Sequence, residues 1–229
     1  MIKDQPHIDR IIRSRRKSFT IQIDEAGKLI VRAPRNATDR TIYEIVSKKR
    51  TWIEKKLHTA RERSRRMQNR SFKEGDRYLY LGEWFPLSID RIPTKGIHFQ
   101  LEGGRFQLDV NKRHRARDLM IEWYRIQAKQ VLTEQAARYA CSTGFSYKKI
   151  NITGAQKRWG SCSSSGNLNF SWRLVMAPVE VIEYVVVHEL VHLREQNHSP
   201  RFWKLVSEVL PEYGNRRSWL NEKGYLLNL

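Results

Sequence analysis

The feature that most constrains the fold is an apolar run that carries two histidines and a glutamate, Val185-Val-Val-His188-Glu189-Leu-Val-His192. Apolar residues all round predict a buried helix, over residues 178–195, and Pro178 suits the opening position. Buried imidazole and carboxylate groups are costly unless they are satisfied. The fold must therefore supply partners for these polar side chains.

A divalent cation is one such partner. His188 and His192 lie one helical turn apart, so their side chains project from one face, and neutral imidazole suits Zn²⁺. Glu189 is displaced from His188 by about a third of a turn, so it can take a proton from a water molecule instead of binding the ion. The alternative is a pair of buried histidines that are hydrogen-bonded to neighbours, beside an incidental glutamate.

A catalytic zinc ion normally has three protein ligands and keeps one position for water. His198 is the leading third ligand, because Ser199-Pro200 predicts the start of another helix, over residues 200–210, and places His198 in a tight corner. The rival third ligands are Glu195, Glu208 and Glu212. A fourth protein ligand would close the water position, so Cys162 is interpreted as a small buried thiol.

Residues on the N-terminal side of this helix are candidates for substrate binding. Residues 167–173 alternate as a strand that could pair with an extended peptide, and a small-residue turn precedes them. The substrate-binding candidates are Trp159, Gly160, Ser161, Asn167 and Asn169. The alternative is an ordinary strand and turn. Four residues are candidates for stabilising an oxyanion, and the sequence does not choose among them: Arg158, Arg173, Tyr213 and Arg216.

The rest of the chain alternates between strand and helix patterns. A hairpin is predicted over residues 8–33 with a turn at 25–27, then a helix that Thr38 or Asp39 caps and that continues to Leu57. A basic connector (61–70), an antiparallel sheet of short strands (78–110) and a helix closed by Gly144 follow. We therefore predict an α+β fold with a basic, antiparallel β-rich domain over 1–115 and a catalytic domain over 116–229.

Charge and composition exclude several classes of protein. The 229 residues carry a net charge of +19 with 40% hydrophobic residues, so the chain has enough apolar surface to fold. Residues 1–66 hold 19 Lys and Arg against 8 Asp and Glu, which suits a solvated basic surface or nucleic acid, although no nucleic-acid recognition motif is present. No apolar run approaches the ~20 residues of a membrane span, and the first residues lack a signal-peptide core. With two cysteines, a cytoplasmic protein is expected.

Several motifs together are similar to one known family. They are Arg158-Trp-Gly-Ser-Cys-Ser163, Trp172-Arg-Leu174, Tyr184–His192, Asn197-His-Ser199 and Phe202-Trp203, with weaker matches at Arg15-Arg-Lys17, Val31–Pro34, Trp52-Ile53 and Tyr80–Gly82. The chain thus resembles the YgjP-like, WLM-related zinc metallopeptidases. The resemblance implies a zincin-like (minigluzincin-like) core, one Zn²⁺ ion on His188, His192 and His198, and a catalytic Glu189. It also implies distant kinship with SprT-type proteases, some of which act on DNA-bound proteins.

The resulting hypothesis is a zinc-dependent metallohydrolase, a peptidase that acts on peptides or proteins with Glu189 as general base. Two alternatives stay open. One is a basic, nucleic-acid-associated protein with a structural metal site. The other is a protease recruited to protein–nucleic acid complexes through its basic N-terminal region. The sequence indicates neither the natural substrate nor the oligomeric state.

Overall fold

The computed structural model describes residues 6–24, 27–58, 71–92, 96 and 98–229. The chain divides into two compact units, Met1–Arg70 and Ser71–Leu229. The predicted turn at residues 25 and 26 and the basic stretch 61–70 lie outside the described residues. Within the described part of the chain, no helix combines the length and the apolar character that crossing a bilayer requires.

The described residues of the first unit form a three-stranded sheet and two helices. Strands β1 (Arg10–Ser14), β2 (Thr20–Ile23) and β3 (Leu29–Pro34) have the order β1-β3-β2, followed by α1 (Asp39–Lys48) and α2 (residues 50–58). β2 and β3 form the predicted antiparallel hairpin, whereas β1 pairs parallel to β3. The buried core of this unit consists of Leu29, Val31, Ala33, Ile42, Val46 and Ile53.

The predicted continuous helix from Thr38 to Leu57 is two segments. Thr38 is the N-cap of α1 and its side-chain oxygen accepts a hydrogen bond from the backbone N–H of Thr41 at 3.2 Å. At Lys49 the backbone leaves helical geometry, with φ −106° and ψ 14°. The apolar stripe nevertheless continues across the break, since Ile42, Val46 and Ile53 share one core.

The second unit begins with a four-stranded sheet of two hairpins. β4 (Arg77–Tyr80), β5 (Glu83–Asp90), β6 (Phe99–Glu102) and β7 (Arg105–Asp109) have the order β4-β5-β7-β6. Each hairpin is antiparallel, but β5 and β7 pair in parallel. The prediction of a purely antiparallel N-terminal region is therefore wrong in both units. In each of these two sheets one pair of strands is parallel, and another strand lies between the two along the chain.

A long helix, α3 (Ala116–Thr143), packs on this sheet and ends at Gly144, which has φ +67° as the closing glycine requires. The ring centroids of Phe106 and Trp123 are 5.1 Å apart, and those of Tyr124 and Trp172 are 5.8 Å apart. These aromatic contacts join the sheet, α3 and the short 3₁₀ helix Trp172–Met176 in one core. The predicted boundary at residue 115 consequently falls inside the second unit.

The second sheet of this unit has the order β8-β10-β9, with β8 (Lys149–Thr153), β9 (Gly160–Cys162) and β10 (Asn167–Ser171). β10 pairs in parallel with β8 and antiparallel with β9. Both sides of β10 are therefore occupied, and β9 is an edge strand.

Three helices complete the unit: α4 (Val179–Val191), α5 (Pro200–Val209) and α6 (Tyr213–Lys223). The β4–β5 turn anchors the start of α4. The backbone N–H groups of Leu81 and Gly82 donate to the carbonyls of Val175 and Met176 at 2.9 and 3.1 Å. A Cβ on Gly82 would lie 2.9 Å from the Cα of Pro178, the N-cap of α4. The fold is thus mixed α+β, as predicted.

Candidate active site

The last turn of α4 carries the polar residues of the apolar run. His188 and Glu189 lie within the helix and His192 is its C-cap, so α4 ends before the predicted residue 195. Beyond Val191 the chain tightens, because Leu193 and Arg194 donate to the carbonyls three residues earlier at 3.0 Å. This tight end turns the chain towards the loop that carries His198.

Three imidazoles meet at this corner. One ligand nitrogen from each of His188, His192 and His198 lies within 4.8 Å of the other two. The Nε2 atoms of His188 and His198 are 3.0 Å apart. Within the described residues, the cluster contains neither Cys162 nor any of the rival glutamates, Glu195, Glu208 and Glu212. The structure thus brings together the three histidines that the sequence singled out.

The first turn of α5 forms the floor beneath the imidazoles. Phe202 is completely buried, and its ring centroid is 4.9, 4.6 and 4.7 Å from those of His188, His192 and His198. The next residue, Trp203, stacks on His198. Ser199 is the N-cap of α5, with its side chain accepting from the Phe202 N–H at 3.3 Å, and Pro200 follows as predicted. Local capping therefore fixes the floor relative to His198.

The donor set suits a zinc ion. The Nδ1 of His192 donates to the backbone carbonyl of Glu195 at 3.0 Å, which leaves Nε2 of that ring with its lone pair. Burial, then the neighbouring imidazoles and Arg217, lower the pKa of His188 to about 3. Burial and the same kinds of neighbour also lower the pKa of His198. Neutral imidazoles are the form that binds Zn²⁺.

Glu189 is buried against the edge strand. Its side chain packs so closely on Gly160 that a Cβ there would lie 2.6 Å from Oε1. Burial raises the pKa of Glu189 to about 8, while Arg158 and the backbone N–H of Cys162 act in the opposite direction. Within the described residues, Oε2 has no hydrogen-bond partner. A divalent cation beside this carboxyl group would favour its ionised form.

A cavity of about 250 Å³ opens beside these groups. Its walls consist of Trp159, Gly160, Tyr184, Val185, His188, Glu189, Arg217, Leu220 and Asn221. Two of the five predicted substrate-binding residues, Trp159 and Gly160, therefore line it. Ser161, Asn167 and Asn169 do not.

The position of β10 corrects the predicted substrate strand. Since β8 and β9 flank β10, its main-chain groups are already paired, and the edge beside α4 belongs to β9. The Asn169 amide receives a hydrogen bond from Asn151 at 2.9 Å, and Asn167 donates to Ser165 at 2.9 Å. These two asparagines thus have local partners within the sheet and turn.

Sequence reasoning missed the wall that α6 supplies. Arg217, Leu220 and Asn221 lie in no recognisable motif, and only packing brings α6 beside α4. The four oxyanion candidates differ in their surroundings. Arg173 is buried, and its guanidinium donates to the side chain of Asn228 and the carbonyl of Gly154. Arg216 forms an ion pair with Glu183, and Tyr213 stacks on Trp203. Arg158 acts on Glu189 by lowering the pKa of its carboxyl group.

The comparison with models of known protein families establishes the family of this chain. The model of the YgjP-like metallopeptidase domain matches residues 17–223, nearly the whole chain. The chain belongs to the YgjP-like family. As a YgjP-like metallopeptidase domain, it is a metal-dependent peptidase in general terms, and its substrate is a peptide or protein.

Other comparisons add little to the YgjP-like assignment. Among solved structures, the crystal structure of the metallopeptidase zymogen of Pyrococcus abyssi abylysin matches with 20% identity and a TM-score of 0.33. That match covers 45% of this chain and 95% of the other. The comparison with curated proteins gave no match.

Proposed function

We propose that this YgjP-like protein is a zinc-dependent peptidase with a zincin-like core, of the type in which one helix supplies two metal ligands and the catalytic glutamate. His188, His192 and His198 would hold one Zn²⁺ ion. The observation that carries the proposal is their convergence within 4.8 Å beside a buried carboxyl group. A zinc ion in such a site supplies Lewis-acid chemistry, lowering the pKa of water towards ~7 and polarising a carbonyl.

The chain's own residues perform the proton transfers. Glu189 accepts a proton from the attacking water at a carboxylate oxygen and later delivers it to the leaving amine. The tight contact with Gly160 fixes that carboxylate, and Phe202 fixes the imidazoles from below. The free edge of β9 offers main-chain groups to an extended substrate. Trp159 and Gly160 therefore remain proposed substrate-binding residues, and β9 rather than β10 is the proposed pairing strand.

The test is the Glu189→Gln variant. It should retain zinc, because Glu189 is not one of the clustered ligands, and it should lose hydrolysis by about 10²-fold or more. Proteome-derived peptides incubated with zinc-loaded protein and with the variant, followed by mass spectrometry of new termini, measure cleavage. Full cleavage by the variant would exclude Glu189 as the general base.

The ligand assignment has its own test. His188→Ala, His192→Ala and His198→Ala should each lower bound zinc, and elemental analysis of the purified proteins measures it. Unchanged stoichiometry in any one variant removes that residue from the ligand set. A fourth protein ligand would indicate a structural site instead, so X-ray absorption that shows no solvent ligand would contradict the peptidase proposal.

The charge of the first 66 residues supports a second candidate, recruitment of the peptidase to protein–nucleic acid complexes. Arg15 and Lys17 are exposed and take part in none of the ion pairs of the described residues. The salt dependence of DNA binding tests this candidate separately from catalysis.

A further inference from the structure

One wall of the cavity beside the histidines carries a positive charge that no carboxylate of the described residues neutralises. Among its lining residues, Arg217 carries the positive charge, and the other ionisable groups are Glu189, His188 and the Tyr184 phenol. The remaining walls are apolar or neutral. Glu189 is buried against Gly160, and the cation that acts on its carboxyl group is Arg158. Arg217 is exposed and lines the cavity, and it does not pair with the Glu189 carboxylate.

Aromatic packing fixes the position of Arg217. Its guanidinium carbon lies 4.6 Å from the ring centroid of Trp203. Trp203 in turn stacks on His198 at 5.7 Å and on Tyr213 at 5.4 Å. The charge is therefore held beside the histidine cluster by a continuous stack of rings.

The neighbouring residue, Arg216, differs from Arg217 in having an acidic partner. Arg216 is bound to the Glu183 carboxylate at 3.0 Å and is only 20% exposed in its side chain. Arg217 belongs to none of the ion pairs of the described residues. A guanidinium that has no carboxylate partner among the described residues, in a site that would also hold a dication, creates a field that attracts anions.

We propose that Arg217 binds a carboxylate of the substrate in this cavity. The inference rests on the proposed peptidase function and names its specificity. Trp159, Val185 and Leu220 provide apolar contact for methylene groups, and the Asn221 amide is a second donor beside Arg217. The carboxylate is either an acidic side chain near the scissile bond or a free C-terminus, because both present the same chemistry to a guanidinium.

Peptides matched in all but one group test this selectivity. A zinc-loaded enzyme is given dansylated peptides with Glu, Gln or Lys at one position beside the scissile bond, each with a free or an amidated C-terminus. Arg217→Glu should lower the ratio of kcat/KM for the preferred carboxylate peptide to kcat/KM for its neutral partner by about 10- to 100-fold, and should raise the ratio of the Lys peptide to the neutral peptide. The free and amidated series show which carboxylate is bound.

Lys223→Glu is the matched control. Lys223 is exposed on the same helix, and its substitution changes the net charge equally, but it does not line the cavity. It should leave the peptide preference unchanged. Equal losses in both variants, or no loss in Arg217→Glu, would overturn the proposal. A fall in kcat of the same size for every peptide, with KM unchanged, would also overturn it and would place Arg217 on the reacting carbonyl.

A binding measurement keeps this test independent of cleavage. Calorimetry with the zinc-loaded Glu189→Gln protein should give tighter binding of the carboxylate peptide than of its neutral partner, and Arg217→Met in that background should abolish the difference. If the wild-type protein cleaves nothing but this difference is present, the peptidase proposal fails and the carboxylate site stands. If the difference is absent in a protein that cleaves peptides, the carboxylate site fails alone.

Discussion

At the residue scale, Gly160 and Glu189 act as a pair. The glutamate is 5% exposed, and its carboxylate occupies the space that a side chain on residue 160 would take. The sequence marked Gly160 as part of a turn near the substrate, but its contact with Glu189 gives it a definite physical requirement. Any side chain there must move the carboxylate from its place beside the imidazoles.

Gly160→Ala is therefore expected to reduce peptide hydrolysis by about 10-fold or more, since small displacements of catalytic groups carry large costs. Zinc content, measured by elemental analysis, should stay at the wild-type level because the three atoms nearest the new methyl group all belong to Glu189, which is not one of the clustered ligands. Gly214→Ala is the control, since a Cβ at Gly214 meets nothing within 4 Å. Wild-type activity in Gly160→Ala would show that Glu189 tolerates the displacement.

At the scale of elements, two hairpins of the same sheet serve different purposes. Leu81-Gly82 and Gly103-Gly104 are both two-residue turns with positive φ at both positions. A Cβ on Gly104 meets nothing within 4 Å, whereas one on Gly82 meets the backbone of Pro178. The first hairpin thus holds the start of α4, and the second only reverses the chain.

Replacing the glycine at the second position of each turn, Gly82 or Gly104, by alanine separates the cost of backbone strain from the cost of the contact with Pro178. Gly104→Ala should lower the free energy of unfolding by about 1 kcal/mol, the cost of a left-handed conformation with a Cβ. Gly82→Ala should cost at least about 1 kcal/mol more, because Pro178 must also move. Urea unfolding followed by circular dichroism measures both. Equal losses would show that the contact with Pro178 relaxes freely.

At the scale of the whole molecule, a net charge of +19 predicts binding to polyanions that weakens with salt. Fluorescence anisotropy with labelled DNA should give a log K that falls linearly with log salt. Arg15→Glu with Lys17→Glu should reduce the slope by about 2, as expected for two lost phosphate contacts.

The control for this experiment places the same charge change in the second unit. Arg105→Glu with Lys223→Glu alters two exposed residues there. If binding depends on the basic first unit, the control slope stays near that of the wild type. Equal effects of both pairs would indicate a general charge effect, and affinity that ignores salt would argue against phosphate contacts altogether.

The sequence predicted most of what depends on neighbours along the chain. The buried helix, the spacing of His188 and His192, the Ser199-Pro200 helix start and the Gly144 helix end follow from periodicity and capping, which act within a few residues. The grouping of His198 with the other two histidines also came from this local corner. Zinc binding by these residues and the role of Glu189 stay predictions until they are measured.

Contacts between distant segments were decided only by the tertiary structure. They include the parallel pairs β1–β3 and β5–β7, the central position of β10, the close contact of Gly160 with Glu189, and the placement of Arg217 in the cavity wall. Pairing and packing of this kind depend on which surfaces fit together once the core closes. The sequence by itself therefore determined the helix that carries the chemistry, and the tertiary structure determined what surrounds it, because periodicity and caps are local whereas a cavity is made by residues that meet only in the folded chain.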